Sequence, residues 1–392
     1  MHVLRNRNGQ GARKVRRISW IVAAVAAIAV SVSGCSHEGV TEPEAKQEII
    51  VVCSNDMSGT LDEIMRKFTN LSKKTKVKLI EFSNESADVY WKTTSMIADG
   101  ETKIDAMITE DVWVKGFIEN DYLLDLGLRE ELSLDDFPNG IDKFIGDEKN
   151  IYYYPLILDM GLMYYRSDKV AAPKNTFDID KKGVPYAVQG ADGEEMLCCA
   201  LEYIRAADSV SEGLKSYKAA LLNAVGGDDG EFLSEFTSGN AFYMRAWASD
   251  CGKITGRLSA AGAELGEELL KNEADLSYST SRTYGYAVNK ATDNAENCKE
   301  LLEYLKTDEV RLDILKGMKT LPIRRSDYEN PIVLDFGRCN AAAAEIFDRH
   351  NFRPARADYA GVSRDTRSAL KKYLQNEGTL EEAAAAIERL LY

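Results

Sequence analysis

Polar side chains that follow short apolar runs are the first candidates for chemistry in this sequence. They come after residues 48–53, 77–82 and 104–109. The polar residues at these three points are Asn55, Asn84, Glu85, Glu110 and Asp111. If the runs are strands of an α/β sheet, these side chains lie at the carboxyl ends of strands, where such sheets bind ligands. The alternative for each is capping of the helix that follows.

Asp159 is a further candidate because it interrupts an apolar run. Residues 151–166 carry no other charge before Arg166. Burying a carboxylate without a partner is costly. We therefore expect Asp159 to meet either a polar partner in the protein or a bound ligand.

The sequence offers few residues for catalysis or metal binding. Its only histidines are His2, His37 and His350, which weakens any Ser-His-Asp, Cys-His or histidine-ligated metal site. Gly252-Lys253 lacks the hydroxyl residue and the preceding glycine of a nucleotide-binding P-loop. We predict no catalytic residue, no metal and no cofactor.

Composition indicates a soluble globular chain of about two domains or lobes. The chain has 392 residues, of which 45% are apolar and 29% charged, and its formal net charge is −14. Nucleic-acid binding needs a basic footprint, so we predict no nucleic-acid partner. The same charge argues against adsorption of the folded body to an anionic membrane.

The amino terminus has the pattern of an export signal. Six basic residues lie between Arg5 and Arg17, and residues 18–32 are apolar, which is too short for a comfortable membrane span. The segment ends in Val-Ser-Gly before Cys35 and resembles a bacterial lipobox. We predict a signal peptide at 1–34, lipid on Cys35 and a flexible tether at 35–47. An uncleaved signal anchor is the alternative.

The rest of the chain begins with alternating strand and helix patterns. Apolar runs at 48–53, 77–82 and 104–109 predict strands, with helices at 86–99 and 112–120 and from a capping-box pattern at Thr60. Further on, the patterns predict strands within 151–166 and at 284–289, mostly helix over 190–275, and a helix at 295–306. A second capping-box pattern predicts that the last helix starts at Thr379. Repeated β-α-β units imply a mainly parallel α/β sheet with helices on both faces.

Five segments, in order, resemble one family. They lie at residues 79–90, 104–126, 154–168, 241–247 and 353–363. They are similar to segments of the family 1 extracellular solute-binding proteins of ABC importers, trehalose/maltose-binding type. The resemblance implies a periplasmic-binding-protein-like type II fold, with two α/β lobes, a hinge and a ligand cleft between them. The implied lobes are 48–156 with 283–330, and 157–282 with 331–392.

The resemblance also implies roles for particular residues. Trp247 matches the tryptophan that stacks on sugar, and Tyr284 stands at a second aromatic position; the alternative for both is core packing. The remaining predicted ligand contacts are Asn55, Asn84, Glu85, Glu110, Asp111, Asp159 and Arg356. For Arg356 the alternative is a solvated or ion-paired side chain. Arg282 and Thr283 replace two glycines of the family pattern. If two of Arg245, Arg282 and Arg356 face the cleft, the ligand carries a carboxylate or phosphate, as a uronate does.

We therefore expect a non-catalytic, lipid-anchored monomer on the outer face of the cell membrane. Its partners would be a small carbohydrate, the membrane subunits of an ABC permease and membrane lipid through Cys35. Reversible capture suggests a micromolar Kd, about −8 kcal/mol. The alternatives are binding of an acidic sugar or a non-sugar solute, a sensor subunit, and a surface glycoside hydrolase.

Overall fold

A computed structural model of the chain describes residues 45–82, 86–100, 103–179, 183–188, 193–225, 231–331 and 347–392. The predicted signal peptide at 1–34, Cys35, Asn84 and Glu85 lie outside the described residues, as does most of the predicted tether. In the ranges that are described, no helix is both long and apolar enough to cross a lipid bilayer.

The strands join in one continuous path. Their bounds are β1 Gln47–Ser54, β2 Thr75–Phe82, β3 Ala106–Glu110, β4 Tyr154–Arg166, β5 Tyr186–Val188, β6 Tyr243–Trp247, β7 Leu265–Leu269, β8 Thr280–Val288 and β9 Asn351–Phe352. Hydrogen-bonded neighbours follow the order β2-β1-β3-β8-β4-β6-β5, with β7 also on β4 and β9 also on β8. The predicted α/β class is confirmed.

The prediction of a mainly parallel sheet is wrong, because the sheet is mixed. β1 pairs in parallel with β2 and β3, as the alternating pattern at the start of the chain requires. β8 runs antiparallel to both β3 and β4, and β4 runs antiparallel to β6 and β7. Apolar periodicity identifies a strand but does not set its direction, which here depends on long connections.

The long strand β4 connects two groups of strands. Its first part, Tyr154 to Met160, pairs with β8. Its second part, from Gly161 or Leu162 onward, pairs with β6 and β7. The predicted lobes would meet along this strand and β8, and the lobe boundaries themselves stay a prediction.

The helices cover most of the remaining described chain. They are α1 Asn55–Leu71, α2 Ser86–Asp99, α3 Asp111–Glu119, α4 Asp142–Ile145, α5 Gly193–Arg205, α6 Val210–Asn223, α7 Glu231–Ser238, α8 Cys251–Ala260, α9 Ala295–Leu305, α10 Asp308–Met318, α11 Tyr359–Leu374 and α12 Leu380–Leu391. The region 190–275, predicted as mostly helical, also contributes β6 and β7.

Two predicted capping boxes have different outcomes. At the last helix, the Thr379 side chain accepts from the Glu382 backbone N–H, and the Glu382 side chain accepts from the Thr379 backbone N–H. That prediction is confirmed. The prediction of a helix start at Thr60 is wrong, because α1 begins at Asn55 directly after β1. The helix therefore continues through the Thr60 pattern rather than starting there.

Buried residues of the first strands and helices are part of the hydrophobic core. Every residue of β3 is buried. Trp113 on α3 is 1% exposed, and its ring lies 5.2 Å from that of Tyr90 and 5.3 Å from that of Tyr359. Trp113 therefore packs α3 against α2 and α11.

The cysteines described by the structure are mostly buried thiols. Cys53, Cys198, Cys199 and Cys298 are free, and Cys251 is disulfide-bonded. Cys53 is completely buried and is part of the hydrophobic core.

Candidate functional site

The carboxyl end of β3 supplies two buried carboxylates. Glu110 is the last residue of β3 and Asp111 the first of α3, and they are 2% and 1% exposed. One oxygen of Asp111 accepts from the Thr283 backbone N–H at 2.7 Å and from the Thr283 hydroxyl at 3.0 Å. Both carboxylates therefore lie where an α/β sheet places ligand groups, as predicted from sequence.

Arg353 binds these carboxylates from the other side. Its guanidinium donates to Glu110 and lies 3.7 Å from the second oxygen of Asp111. It also donates to Glu194, in the first turn of α5, at 3.1 Å. Arg353 and its three carboxylate partners are all nearly inaccessible to water. We call these four residues the Arg353 network.

One face of α11 completes the surroundings of Glu194. Tyr359, Ser363 and Arg367 are spaced four residues apart, so their side chains lie on one side of the helix. The Tyr359 hydroxyl donates to Glu194 at 2.9 Å, the Ser363 hydroxyl also donates to it, and the Arg367 Nε lies 3.2 Å from it. Helix α11 thereby fixes the position of Glu194 against Arg353.

Asp159, in the middle of β4, has the polar partners that its sequence setting demands. Its carboxylate is 2% exposed and pairs with the Arg282 guanidinium at 3.0 Å. It also accepts from the Ser249 backbone N–H at 3.1 Å and the Ser249 hydroxyl at 2.9 Å. Arg282 reaches a second carboxylate, Glu195, at 3.3 Å.

The indole of Trp247 lies against this pair. The guanidinium carbon of Arg282 is 3.8 Å from the ring centroid, and that of Arg245 is 4.4 Å from it. Arg282 also lies 5.5 Å from the ring centroid of the half-buried Tyr284. The Trp247 Nε1 is buried and finds no hydrogen-bond acceptor in the described part of the chain. We call Asp159, Glu195, Trp247, Arg282 and Tyr284 the Trp247 subsite.

Gly161 packs closely against the Arg245–Glu202 ion pair. Arg245 pairs with Glu202 at 2.8 and 3.1 Å, and both side chains are buried. A Cβ at Gly161 would lie 2.4 Å from the Arg245 guanidinium and 2.5 Å from the Glu202 carboxylate. Only a residue without a side chain leaves room at this point of β4 for the ion pair.

Burial raises the pKa of two carboxyl groups at the site, Asp111 and Glu195. Desolvation raises the pKa of Asp111 to about 7; the Arg353 charge opposes the shift and the Glu110 charge adds to it. Burial likewise raises the pKa of Glu195, against the effect of Arg282.

The network and the subsite are neighbours in the fold. Glu194 and Glu195 are adjacent on α5, and Arg282 and Thr283 are adjacent on β8. The structure therefore brings Glu110, Asp111, Asp159, Trp247 and Tyr284 to one region, although each was singled out separately in the sequence.

Other predicted site residues have different positions. Arg356 pairs with Asp358 at 2.5 Å and donates to backbone carbonyls at the end of α12, so the structure does not bring it into the Arg353 network or the Trp247 subsite. Asn55 is the first residue of α1, and Asn84 and Glu85 lie outside the described residues.

Sequence reasoning missed three of the charged groups at this site. It did not select Arg353, Glu194 or Glu195 as site residues. The signals were present: Arg353 precedes a proline in a family-like segment, and the two glutamates stand side by side before an apolar helix. In the described ranges, no group of histidine, cysteine, aspartate and glutamate side chains is arranged to hold a metal ion.

Several solved structures have the same fold as this chain. Maltose-bound MalE3 of Thermotoga maritima superposes with a TM-score of 0.77 at 19% identity, covering 88% of this chain and 98% of that protein. The GacH receptor of Streptomyces glaucescens, solved unliganded and with acarbose, gives 0.74 at 18% identity, covering 89% and 99%. A ribitol-bound ABC transporter solute-binding protein of Agrobacterium radiobacter gives 0.73 at 16% identity, covering 89% and 98%. The predicted type II binding-protein fold is confirmed.

The amino-acid sequence itself assigns the chain to a family. A search of curated proteins finds no significant match. The family described as bacterial extracellular solute-binding protein matches residues 63–333, which is more than half of the chain. This chain therefore belongs to the bacterial extracellular solute-binding proteins, a family of extracytoplasmic binding proteins rather than enzymes.

Proposed function

We propose that this protein binds a sugar or a sugar alcohol outside the cell and delivers it to an ABC permease. The observation that carries the proposal is the Asp159–Arg282 ion pair, which lies against the indole of Trp247 and next to Tyr284, the residue opposite Glu110 in the β3–β8 pairing. A sugar presents hydroxyl groups and a weakly apolar face, which carboxylates and an aromatic ring can bind together. The solved structures with this fold that contain maltose, acarbose or ribitol support the same class of ligand.

Two buried polar atoms lack the partner that a ligand would provide. The Trp247 Nε1 has no acceptor, and one oxygen of Asp111 has no hydrogen-bond donor, within the part of the chain that the structure describes. Buried polar groups are normally hydrogen-bonded. A polyhydroxylated ligand can both accept from the indole and donate to the carboxylate.

We assign ligand contact to Glu110, Asp111, Asp159, Trp247 and Tyr284. Binding would favour closure of the two predicted lobes around the ligand, to the extent that the ligand prefers the closed state. Asn55, Asn84 and Glu85 stay candidates from the sequence.

Lipid on Cys35 would hold the protein at the outer face of the membrane. The proposal rests on the lipobox-like sequence that precedes Cys35. Metabolic labelling with radioactive palmitate tests it. We expect label in the native chain and none after Cys35→Ala, with the variant released into the medium or periplasm. Equal labelling of both chains would refute the anchor.

Calorimetry and thermal unfolding test the proposed ligand class. The full-length chain with Cys35→Ala is titrated with a panel of neutral mono- and disaccharides and sugar alcohols, since a ligand that binds only the folded state raises Tm. Trp247→Ala is expected to lower affinity at least about tenfold. Trp91→Ala is the matched control, because Trp91 is 43% exposed on α2 and its loss leaves the site intact. If the native protein binds no member of this panel and no amino sugar at millimolar concentration, the proposed function is wrong.

A further inference from the structure

A cation already lies against the ring of Trp247. The Arg282 guanidinium lies 3.8 Å from the indole centroid. Two carboxylates hold it there, Asp159 at 3.0 Å and Glu195 at 3.3 Å. This is the arrangement by which proteins bind planar or quaternary cations, with an aromatic face and negative charge around it. The protein's own side chain thus indicates the chemistry that this subsite accepts.

Negative charge exceeds positive charge in the ion pairs of the site. In the described part of the chain, Arg282 is the guanidinium that pairs with both Asp159 and Glu195. Among the described residues that these ion pairs join, six carboxylates meet four guanidinium groups: Glu110, Asp111, Asp159, Glu194, Glu195 and Glu202, with Arg245, Arg282, Arg353 and Arg367.

Displacement of Arg282 decides which ligand can stack on Trp247. A neutral sugar ring in the place of the guanidinium would leave Asp159, which is 2% exposed, without its counter-charge. Removing one partner of a buried ion pair is strongly unfavourable. A ligand whose positive charge replaces that of Arg282 avoids this loss.

We propose that the Trp247 subsite binds the positively charged amine of an amino sugar, which takes the position of the Arg282 guanidinium between Asp159 and Glu195. This inference rests on the proposed function, because the sugar portion of the ligand comes from it. It also disfavours the acidic sugar considered from the sequence, because a ligand carboxylate would meet the excess of carboxylates.

Three matched disaccharides test the inference. They are the glucosamine disaccharide of chitosan, the N-acetylglucosamine disaccharide of chitin and cellobiose, which differ in carrying an amine, an amide or a hydroxyl. Titration calorimetry is run at about pH 6, where a sugar amine is mostly protonated. We expect the amine disaccharide to bind at least about tenfold more tightly than the other two.

The outcomes separate this inference from the proposed function. If cellobiose or another neutral sugar or sugar alcohol binds and the amine gives no advantage, the inference is wrong and the proposed function stands. If a uronic acid disaccharide binds best, the inference is also wrong. If nothing in either panel binds, both fail.

Variants in the Trp247 subsite test the inference through the ratio of affinities for the amine and the hydroxyl disaccharide. A residue with a purely structural role would not change this ratio. Glu195→Gln removes one carboxylate and is expected to lower the preference for amine over hydroxyl at least about fivefold. Arg282→Gln keeps a planar polar group but removes the competing charge, so the preference should rise. Arg325→Gln is the control, because Arg325 pairs with Asp348 on the exposed surface. This variant should show the same preference for amine over hydroxyl as the native protein. Circular dichroism confirms folding, and unchanged preference in both site variants would overturn the inference.

Discussion

Replacing Arg353 with methionine tests whether the Arg353 network is a buried, mutually dependent unit. The substitution keeps much of the side chain's apolar bulk and removes its charge. It leaves Glu110, Asp111 and Glu194 without the guanidinium that now lies between them. Arg325→Met is the matched control, since that arginine and its partner Asp348 are about half exposed, at 45% and 48%.

Burial sets the expected difference between these two variants. The side chains of Arg353, Glu110 and Asp111 are each 1% exposed. Breaking a buried ion pair by removing one partner costs about 3–5 kcal/mol, whereas an exposed pair contributes about 0–1 kcal/mol. We therefore expect Arg353→Met to lower the free energy of unfolding by about 2–5 kcal/mol more than Arg325→Met does.

Urea unfolding at about pH 7 and about pH 5 measures this difference. In Arg353→Met the carboxylates lose a positive neighbour, so their folded-state pKa values rise. Carboxylates with raised pKa values destabilise the fold less as the pH falls, and the gap between the variants should narrow at about pH 5. Equal losses in the two variants, or a gap that widens on acidification, would refute the reasoning. If Arg353→Met does not fold, Arg353→Lys, which keeps the positive charge, replaces it in the comparison.

Three further substitutions test single features. The folded-state pKa of Asp111 is raised from 3.8 to about 7, so this carboxyl should make the native protein lose stability as the pH rises from about 4 to about 7. Asp111→Asn should remove that part of the slope in urea unfolding, and an unchanged slope would contradict the assignment. Gly161→Ala places a Cβ 2.4 Å from the Arg245 guanidinium and should cost about 1–3 kcal/mol in thermal unfolding. Gly256→Ala, in a helix with open space around the new methyl group, should be neutral or stabilising, and an equal loss would argue against crowding. Thr379→Ala should cost about 1 kcal/mol by removing the cap of α12, while Thr379→Ser should retain most of it; no difference between the two would argue against the cap.

Local signals in the sequence predict the individual elements well. The helix predicted at 86–99 has the bounds of α2, and Thr379 caps α12 as its spacing indicates. These features depend on residues within a few positions of one another, through side-chain periodicity and hydrogen bonds to nearby backbone groups. Strand direction is different: β8 returns between β3 and β4, and nothing local in residues 280–288 specifies its neighbours.

The candidate site was only partly predictable for the same reason. Glu110, Asp111 and Asp159 were recognisable from their positions beside apolar runs. Arg353 contacts Glu110 across 243 positions of sequence, a pairing that no spacing rule contains. Trp247 was predicted as a stacking platform, but the guanidinium of Arg282 on its face required the structure.

The four buried free thiols of the described residues are poor targets for labelling reagents. Desolvation raises the pKa values of Cys53, Cys198 and Cys298 to about 12 and that of Cys199 well above its usual range. Because the thiolate is the reactive species, these four sulfurs should not react with maleimides or mild oxidants while the fold is intact. Their reaction rate would then report transient opening of the core, and a fluorophore on an engineered surface cysteine would have no competition from them.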